Sequence, residues 1–213
     1  MINPKQIEKV VVILYYGRSG SIFLGSLLDG HPNVLSTPAC IMHDFFSYFW
    51  PNFSNSPKEK LILSFTLYYS VLFDARNPNR GQAGPKDVGA LNGLTQMGDD
   101  KNKVLQVNVI EFIDIVTSYL SREENITPKY FFQVVHMSYA LASGRDLDQN
   151  DYWICFPMHN FDKNQAASVT TLFPETFFVQ TIRDTVQTLN SHFRHHCVDR
   201  QSDEKVSYGL FNN

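Results

Sequence analysis

The stretch Val10–Pro38, VVVILYYGRSGSIFLGSLLDGHPNVLSTP, decides how the chain reads. Its opening run, Val10–Leu14, is apolar and β-branched and predicts a strand. Tyr16-Gly17-Arg18-Ser19-Gly20-Ser21 follows as a small, glycine-rich, cationic turn. Ile22, Phe23, Leu24, Leu27 and Leu28 then recur at helical spacing until Asp29-Gly30-His31-Pro32 stops the helix. A strand, a tight turn and a helix start together aim backbone N–H groups and a helix dipole at an anion. Gly17 and Gly20 let the backbone turn sharply and approach a ligand with no Cβ in the way. Arg18 adds a permanent charge with a donor fork suited to anionic oxygens, and Ser19 and Ser21 add hydroxyls. The segment predicts an anion cradle.

A distant segment matches it. Thr176–Ile182 reads as a buried strand from its aromatic and β-branched content. It runs into Arg183-Asp184-Thr185, and a helical stretch follows to about His196, with Ser191 eight residues after Arg183. An Arg at the carboxyl tip of a strand and a Ser two turns into the next helix can face one crevice. Open parallel sheets bind ligands in that place.

Two common nucleotide motifs are excluded. A P-loop needs Lys beside Ser or Thr at the helix start, and the nearest frame, Gly20 to Ser26, has none. The dinucleotide G-x-G-x-x-G pattern fails because Gly17 and Gly20 are three apart. A nucleotide kinase is therefore disfavoured.

The segment instead resembles the 5′-phosphosulfate loop of sulfotransferases that use 3′-phosphoadenosine 5′-phosphosulfate (PAPS). The shared pattern is Gly17-Arg18-Ser19-Gly20-Ser21, Leu24, Leu27, Leu28, His31-Pro32 and Val34, in the style of the carbohydrate, tyrosyl-protein and bacterial branches. Arg183 and Ser191 are similar to the family's 3′-phosphate pair, with Thr185 where that family carries Pro. The resemblance implies an α/β fold with a P-loop-like central parallel sheet flanked by helices in three layers. It implies transfer of a sulfuryl group from PAPS to a hydroxyl or amine of a carbohydrate or small metabolite, leaving 3′-phosphoadenosine 5′-phosphate (PAP). A non-catalytic PAPS- or PAP-binding relative is the alternative.

By this resemblance the donor site comprises Gly17, Arg18, Ser19, Gly20, Ser21, Ile22, Arg183 and Ser191. Ile22 stands where the family has a second hydroxyl, so backbone amides and Arg18 carry more of the binding. In-line sulfuryl transfer needs cationic stabilisation of the departing phosphate, for which Arg18 serves, and a base for the acceptor proton. His159 is the first candidate base, after the run Trp153–Met158, similar to the family's K-x-P-x-H segment; Cys155 takes the place of its Lys. His43 and Asp44 are the second. No metal is expected, since His192, His195 and His196 lack Cys or carboxylate partners at ligand spacing. The family runs on beyond this point to a loop that closes over the donor, whereas this chain ends at Asn213. The resemblance is thus to a compact or truncated member.

Composition bounds the rest. A chain of 213 residues supports one domain, 1–213, with a sizeable core. A net charge of −3 disfavours nucleic acid as a partner. No apolar run reaches membrane-span length, and Met1–Lys9 lacks the apolar core of a signal peptide. Cys40, Cys155 and Cys197 form neither a metal pattern nor an even disulfide framework, so a reducing cytoplasm is the simplest compartment.

Between the two motifs the chain reads as mostly helical. Ile41–Trp50 predicts a short aromatic helix closed by Pro51, and Ser56-Pro57-Lys58-Glu59 a helix start with Pro in first position, leading into Leu61–Phe73. Asp74 to about Lys103, rich in Gly, Asn, Pro and Asp, predicts a long surface loop or lid. Val104–Ser121 and Thr127–Ala142 predict amphipathic helices, the second capped by Thr127. Tyr152–Phe156 predicts a strand and Asp162–Leu172 a helix. His31 is expected to cap the first helix, and His136 to be a packed or surface histidine.

Overall fold

The computed structural model describes residues 2–15, 20–81, 86–148, 151–159 and 163–194, with the side chains of Tyr15, His159 and His192 outside that description. In chain order the main elements are β1 (Lys9–Tyr15), α1 (Ser21–Leu28), β2 (Val34–Ser36), α2 (Trp50–Phe53), α3 (Lys58–Tyr68) and α4 (Val88–Leu91). They continue with α5 (Val109–Leu120), α6 (Pro128–Ala142), β3 (Trp153–His159), α7 (Lys163–Leu172), β4 (Glu175–Gln180) and α8 (Thr185–Phe193).

The four strands form one all-parallel sheet in the order β2-β3-β1-β4. The chain is therefore an α/β protein. Because side chains alternate across a strand, β1 and β3 serve two faces. Val10, Val12, Ile154, Phe156 and Met158 join the main core, whereas Ile13 and Cys155 join a smaller cluster with Leu24 and Leu28 of α1. Helices thus cover both faces. β1 lies between β3 and β4, so the carboxyl ends of the three parallel strands lie side by side.

The main core is built on α6, in which Phe131, Phe132, Val134, His136 and Met137 are completely or almost completely buried. Thr127 starts this helix as expected, its side chain accepting from the Tyr130 N–H, with Pro128 in the first turn. Phe45 and Phe49 stack on Phe131 with ring centroids 6.2 and 6.3 Å apart. The aromatic run after Asp44 is therefore core.

Several sequence expectations are corrected. Phe45–Phe49 forms a wide π-type turn, and Pro51 does not end it but sits in the first turn of α2, where a missing N–H costs nothing. Pro57 is the N-cap of α3 rather than its first residue, and α3 stops at Tyr68 before a short 3-10 turn at Ser70–Leu72. The helix expected from Val104 begins at Val109, where Asn108 accepts from the N–H groups of Ile110 and Glu111 at 3.2 Å. Leu105 and Val107 pair instead with Ala75 and Phe73 through backbone hydrogen bonds of 3.1 and 3.0 Å. The 74–103 stretch is not free loop over its described residues. It contains α4, a Met97–Lys103 bridge, and Gly89 pressed so closely on Ala75 that a Cβ there would meet the Ala75 carbonyl at 2.0 Å.

β4 departs most from expectation. Its composition made it read as buried, yet Phe177 and Phe178 are 55% and 41% exposed, and among the described residues β4 is an edge strand paired only with β1. Composition reports strand preference and says nothing of how many neighbours a strand has. Ile22, Phe23 and Leu27 of α1 are exposed as well. No described helix is long and apolar enough to cross a membrane.

Candidate functional site: the carboxyl ends of β1, β3 and β4

β1 carries the chain to the sheet's carboxyl edge at Tyr15. Gly17, Arg18 and Ser19 lie outside the described residues. Description resumes at Gly20, the N-cap of α1, with φ +91°. A residue with a Cβ pays to adopt that left-handed geometry, which accounts for glycine here. Gly20, having no side chain, leaves the first-turn N–H groups of α1 without a cap of its own. Ile22 follows in the first turn of α1, and its side chain is 54% exposed.

Ser21 ties this helix start to the sheet. It is buried, and its Oγ donates to the Leu14 carbonyl at 3.3 Å. The same Oγ lies 3.3 Å from Thr181 Oγ1, one hydroxyl donating to the other. Thr181 is the residue after β4 and stands two before Arg183. The two segments singled out from sequence therefore meet at a side-chain contact.

Beyond that contact Ile182 is 92% exposed and Asp184 caps α8, accepting from the Gln187 N–H at 2.9 Å. Arg183 Nε donates to Gln187 Oε1 at 3.4 Å. Ser191 is half-buried in α8. Asp184 is thus accounted for by capping.

The candidate bases fall in different surroundings. His159 is the last residue of β3 and registers opposite Tyr15, the last of β1. Its side chain lies outside the description. Asp44 is buried among phenols, accepting from Tyr68 OH at 2.6 Å and from Tyr69 OH at 2.9 Å. Burial and then the Asp44 charge hold the Tyr69 hydroxyl well above its ordinary pKa. His43 is buried, and its Nδ1 pairs with the Cys40 carbonyl at 2.6 Å. Both stand at the start of the aromatic core.

Cys155 lies inside β3 and is buried, with its thiol pushed up to about 12 by burial and then by the Asp29 carboxylate. Burial likewise pushes Cys40 up to about 11, and both thiols are free. Cys197, His195 and His196 lie outside the described residues, among which no group of His, Cys, Asp and Glu is arranged to hold a metal ion. His136 is completely buried in α6 and pairs through Nδ1 with the Phe132 carbonyl at 2.8 Å. Asp29 is the C-cap of α1, and the turn that His31 makes helps to close the helix, its N–H donating to the Leu28 carbonyl at 3.2 Å and its Nδ1 accepting from the Asn33 N–H at 3.2 Å.

Two parts of the site escaped the sequence. Thr181 had a usable signal, a hydroxyl at the end of a predicted strand. Ser36, which donates to Asp29 Oδ1 at 2.9 Å and ties the end of β2 to the end of α1, had none. Comparison of the chain with protein-family models, with characterised proteins and with solved structures finds no match.

Proposed function

We propose that the chain binds PAPS and transfers its sulfuryl group to a hydroxyl or amine of a small acceptor. The contact that carries this reading is Ser21 with Thr181, which puts the start of α1 beside the end of the strand that precedes Arg183. In this reading the 5′ end of the donor lies on the 17–22 segment, held by Arg18, the Ser19 hydroxyl and the first-turn amides, while the Ser21 hydroxyl, bonded to the Leu14 carbonyl and to Thr181, fixes the helix start. Arg183 and Ser191 take the 3′-phosphate. The reaction is in-line: an acceptor oxygen or nitrogen forms a bond to sulfur while the bond from sulfur to the 5′-phosphate oxygen breaks. Arg18 and the amides stabilise the charge that returns to PAP.

The acceptor must also lose a proton. His159, at the carboxyl end of β3 and in register with Tyr15, is the group proposed to take it. Asp44 is occupied by two phenols, which suits it to a structural role, while His43 is buried with its Nδ1 on the Cys40 carbonyl.

One observation favours a second reading. Cys155 replaces a cation of the resembled pattern and, with its thiol pushed up to about 12, is neutral at physiological pH. A protein that binds PAP without turnover fits that loss of charge. Incubation with PAPS separates the two: slow release of PAP, with sulfate appearing on acceptor alcohols and amines, supports transfer. Binding of PAP with no turnover on any acceptor supports the second reading, and failure to bind PAP contradicts both.

A further inference from the structure

On the α1 side of the sheet lies a half-open cavity of about 150 Å³, between α1, the carboxyl ends of β2 and β3, and Asn92 and Leu94. Apolar cavities of about this volume admit a benzene-sized guest. Ile13, Leu94 and Cys155 supply apolar lining, so a ring-sized apolar body finds contacts there. The Cys155 thiol, held protonated, offers neither a nucleophile nor a charge.

The polar lining is unlike the rest and is rich in acceptors. Thr37, only 6% exposed, lines the cavity, and its Oγ1 is buried with no hydrogen-bond partner among the described residues. Buried hydroxyls are normally paired, and one left unpaired beside a cavity points to a partner that arrives from outside. Asp29 also lines the cavity and is held in place by the hydroxyl of Ser36 at 2.9 Å. Asp29 is itself exposed and shares this lining with Cys155. At the rim Ala39 adopts φ +52°, a left-handed geometry that a non-glycine residue holds only where its surroundings impose it. A carboxylate and hydroxyl oxygens over an apolar floor are complementary to one kind of small molecule.

We propose that this cavity binds a small primary amine with a ring-sized apolar body, its ammonium directed to Asp29 and Thr37. The assignment goes beyond the donor reading and stands without it, because the cavity shares only Ile22 with the donor residues and uses neither Arg18, Arg183 nor Ser191.

Amide chemical-shift titration of the full chain with benzylamine, benzyl alcohol and toluene tests it. Benzylamine is expected to perturb Ile13, Thr37 and Leu94 and to bind about tenfold more tightly than toluene, the gain of one charge-assisted hydrogen bond. Asp29→Asn should weaken benzylamine by about tenfold and leave toluene unchanged. Ser26→Phe, on the exposed side of α1 where it lines the cavity, should block all three compounds without unfolding the protein. Equal binding of the three, or no loss in Asp29→Asn, overturns the amine assignment, and no perturbation at these residues overturns the site. PAP binding is measured alongside. Its absence with benzylamine bound counts against the donor reading alone, and its presence with no benzylamine binding counts against this cavity alone.

Discussion

The hydroxyls of Ser21 and Thr181 lie 3.3 Å apart although the residues are 160 positions apart in sequence. Ser21 also reaches the Leu14 carbonyl, so one side chain joins the end of β1, the start of α1 and the end of β4. Replacing Thr181 with the isosteric Val removes one hydrogen bond and leaves Ser21 its carbonyl partner. Stability should fall by about 1 kcal/mol, lowering Tm by about 2–4 °C. The thermal shift given by PAP should shrink beyond that baseline change, because the two segments lose their common anchor. An unchanged PAP shift in Thr181→Val would detach this contact from ligand binding.

Asp44 separates a structural carboxylate from a catalytic one. It accepts from two phenols, of which Tyr69 is completely buried. Asp44→Ala leaves that hydroxyl without its acceptor and should cost about 2–4 kcal/mol by denaturant titration. Asp44→Asn keeps an acceptor oxygen and should cost less, with PAP binding retained in both. Turnover lost in Asp44→Asn at unchanged stability would instead make Asp44 the base.

His136 makes stability depend on pH. Burial is the larger influence and outweighs the bond to the Phe132 carbonyl, lowering its pKa from 6.5 to about 4. The unfolded chain takes up a proton near pH 6.5, whereas the folded chain resists until about pH 4, so stability is lost as pH falls through that window. The loss integrates to about 3 kcal/mol. Urea unfolding between pH 7 and pH 4 measures it, and His136→Gln should flatten the slope over this range.

Two glycines should respond very differently to alanine. Gly20 needs φ +91° but has open space around it, so Gly20→Ala pays only the backbone cost, about 1–2 kcal/mol. Gly89 has no such φ, yet a Cβ there would lie 2.0 Å from the Ala75 carbonyl oxygen. Gly89→Ala must displace backbone and should cost about 3 kcal/mol or more. Unfolding curves for both variants check the order.

What was legible in the sequence was local. The β-branched run that became β1, the Thr127-Pro128 start of α6 and the stop after Leu28 each follow from the chemistry of a few adjacent residues. Burial of β4 was not legible, because Phe177 and Phe178 specify a strand but not whether anything packs on it. The start of α5 was misplaced because Val104, Leu105 and Val107 suit a helix or an extended pairing, and the partners Phe73 and Ala75 lie on a remote segment. The two phenols that take up Asp44 arrive from α3 and the residue after it, more than twenty positions away. At the candidate site the order of the motifs along the chain could be read; the meeting of Ser21 with Thr181 needed the fold.

A thermal-shift titration asks whether one pocket grips both ends of a doubly phosphorylated adenosine. PAP and ATP with Mg²⁺ are compared on the wild-type chain, Arg18→Ala and Arg183→Ala. A ligand that binds only the folded state raises Tm by mass action. PAP should give a clear shift and ATP with Mg²⁺ little, with the PAP shift falling sharply in each arginine variant. A larger shift with ATP and Mg²⁺, or a PAP shift indifferent to both arginines, would contradict that grip.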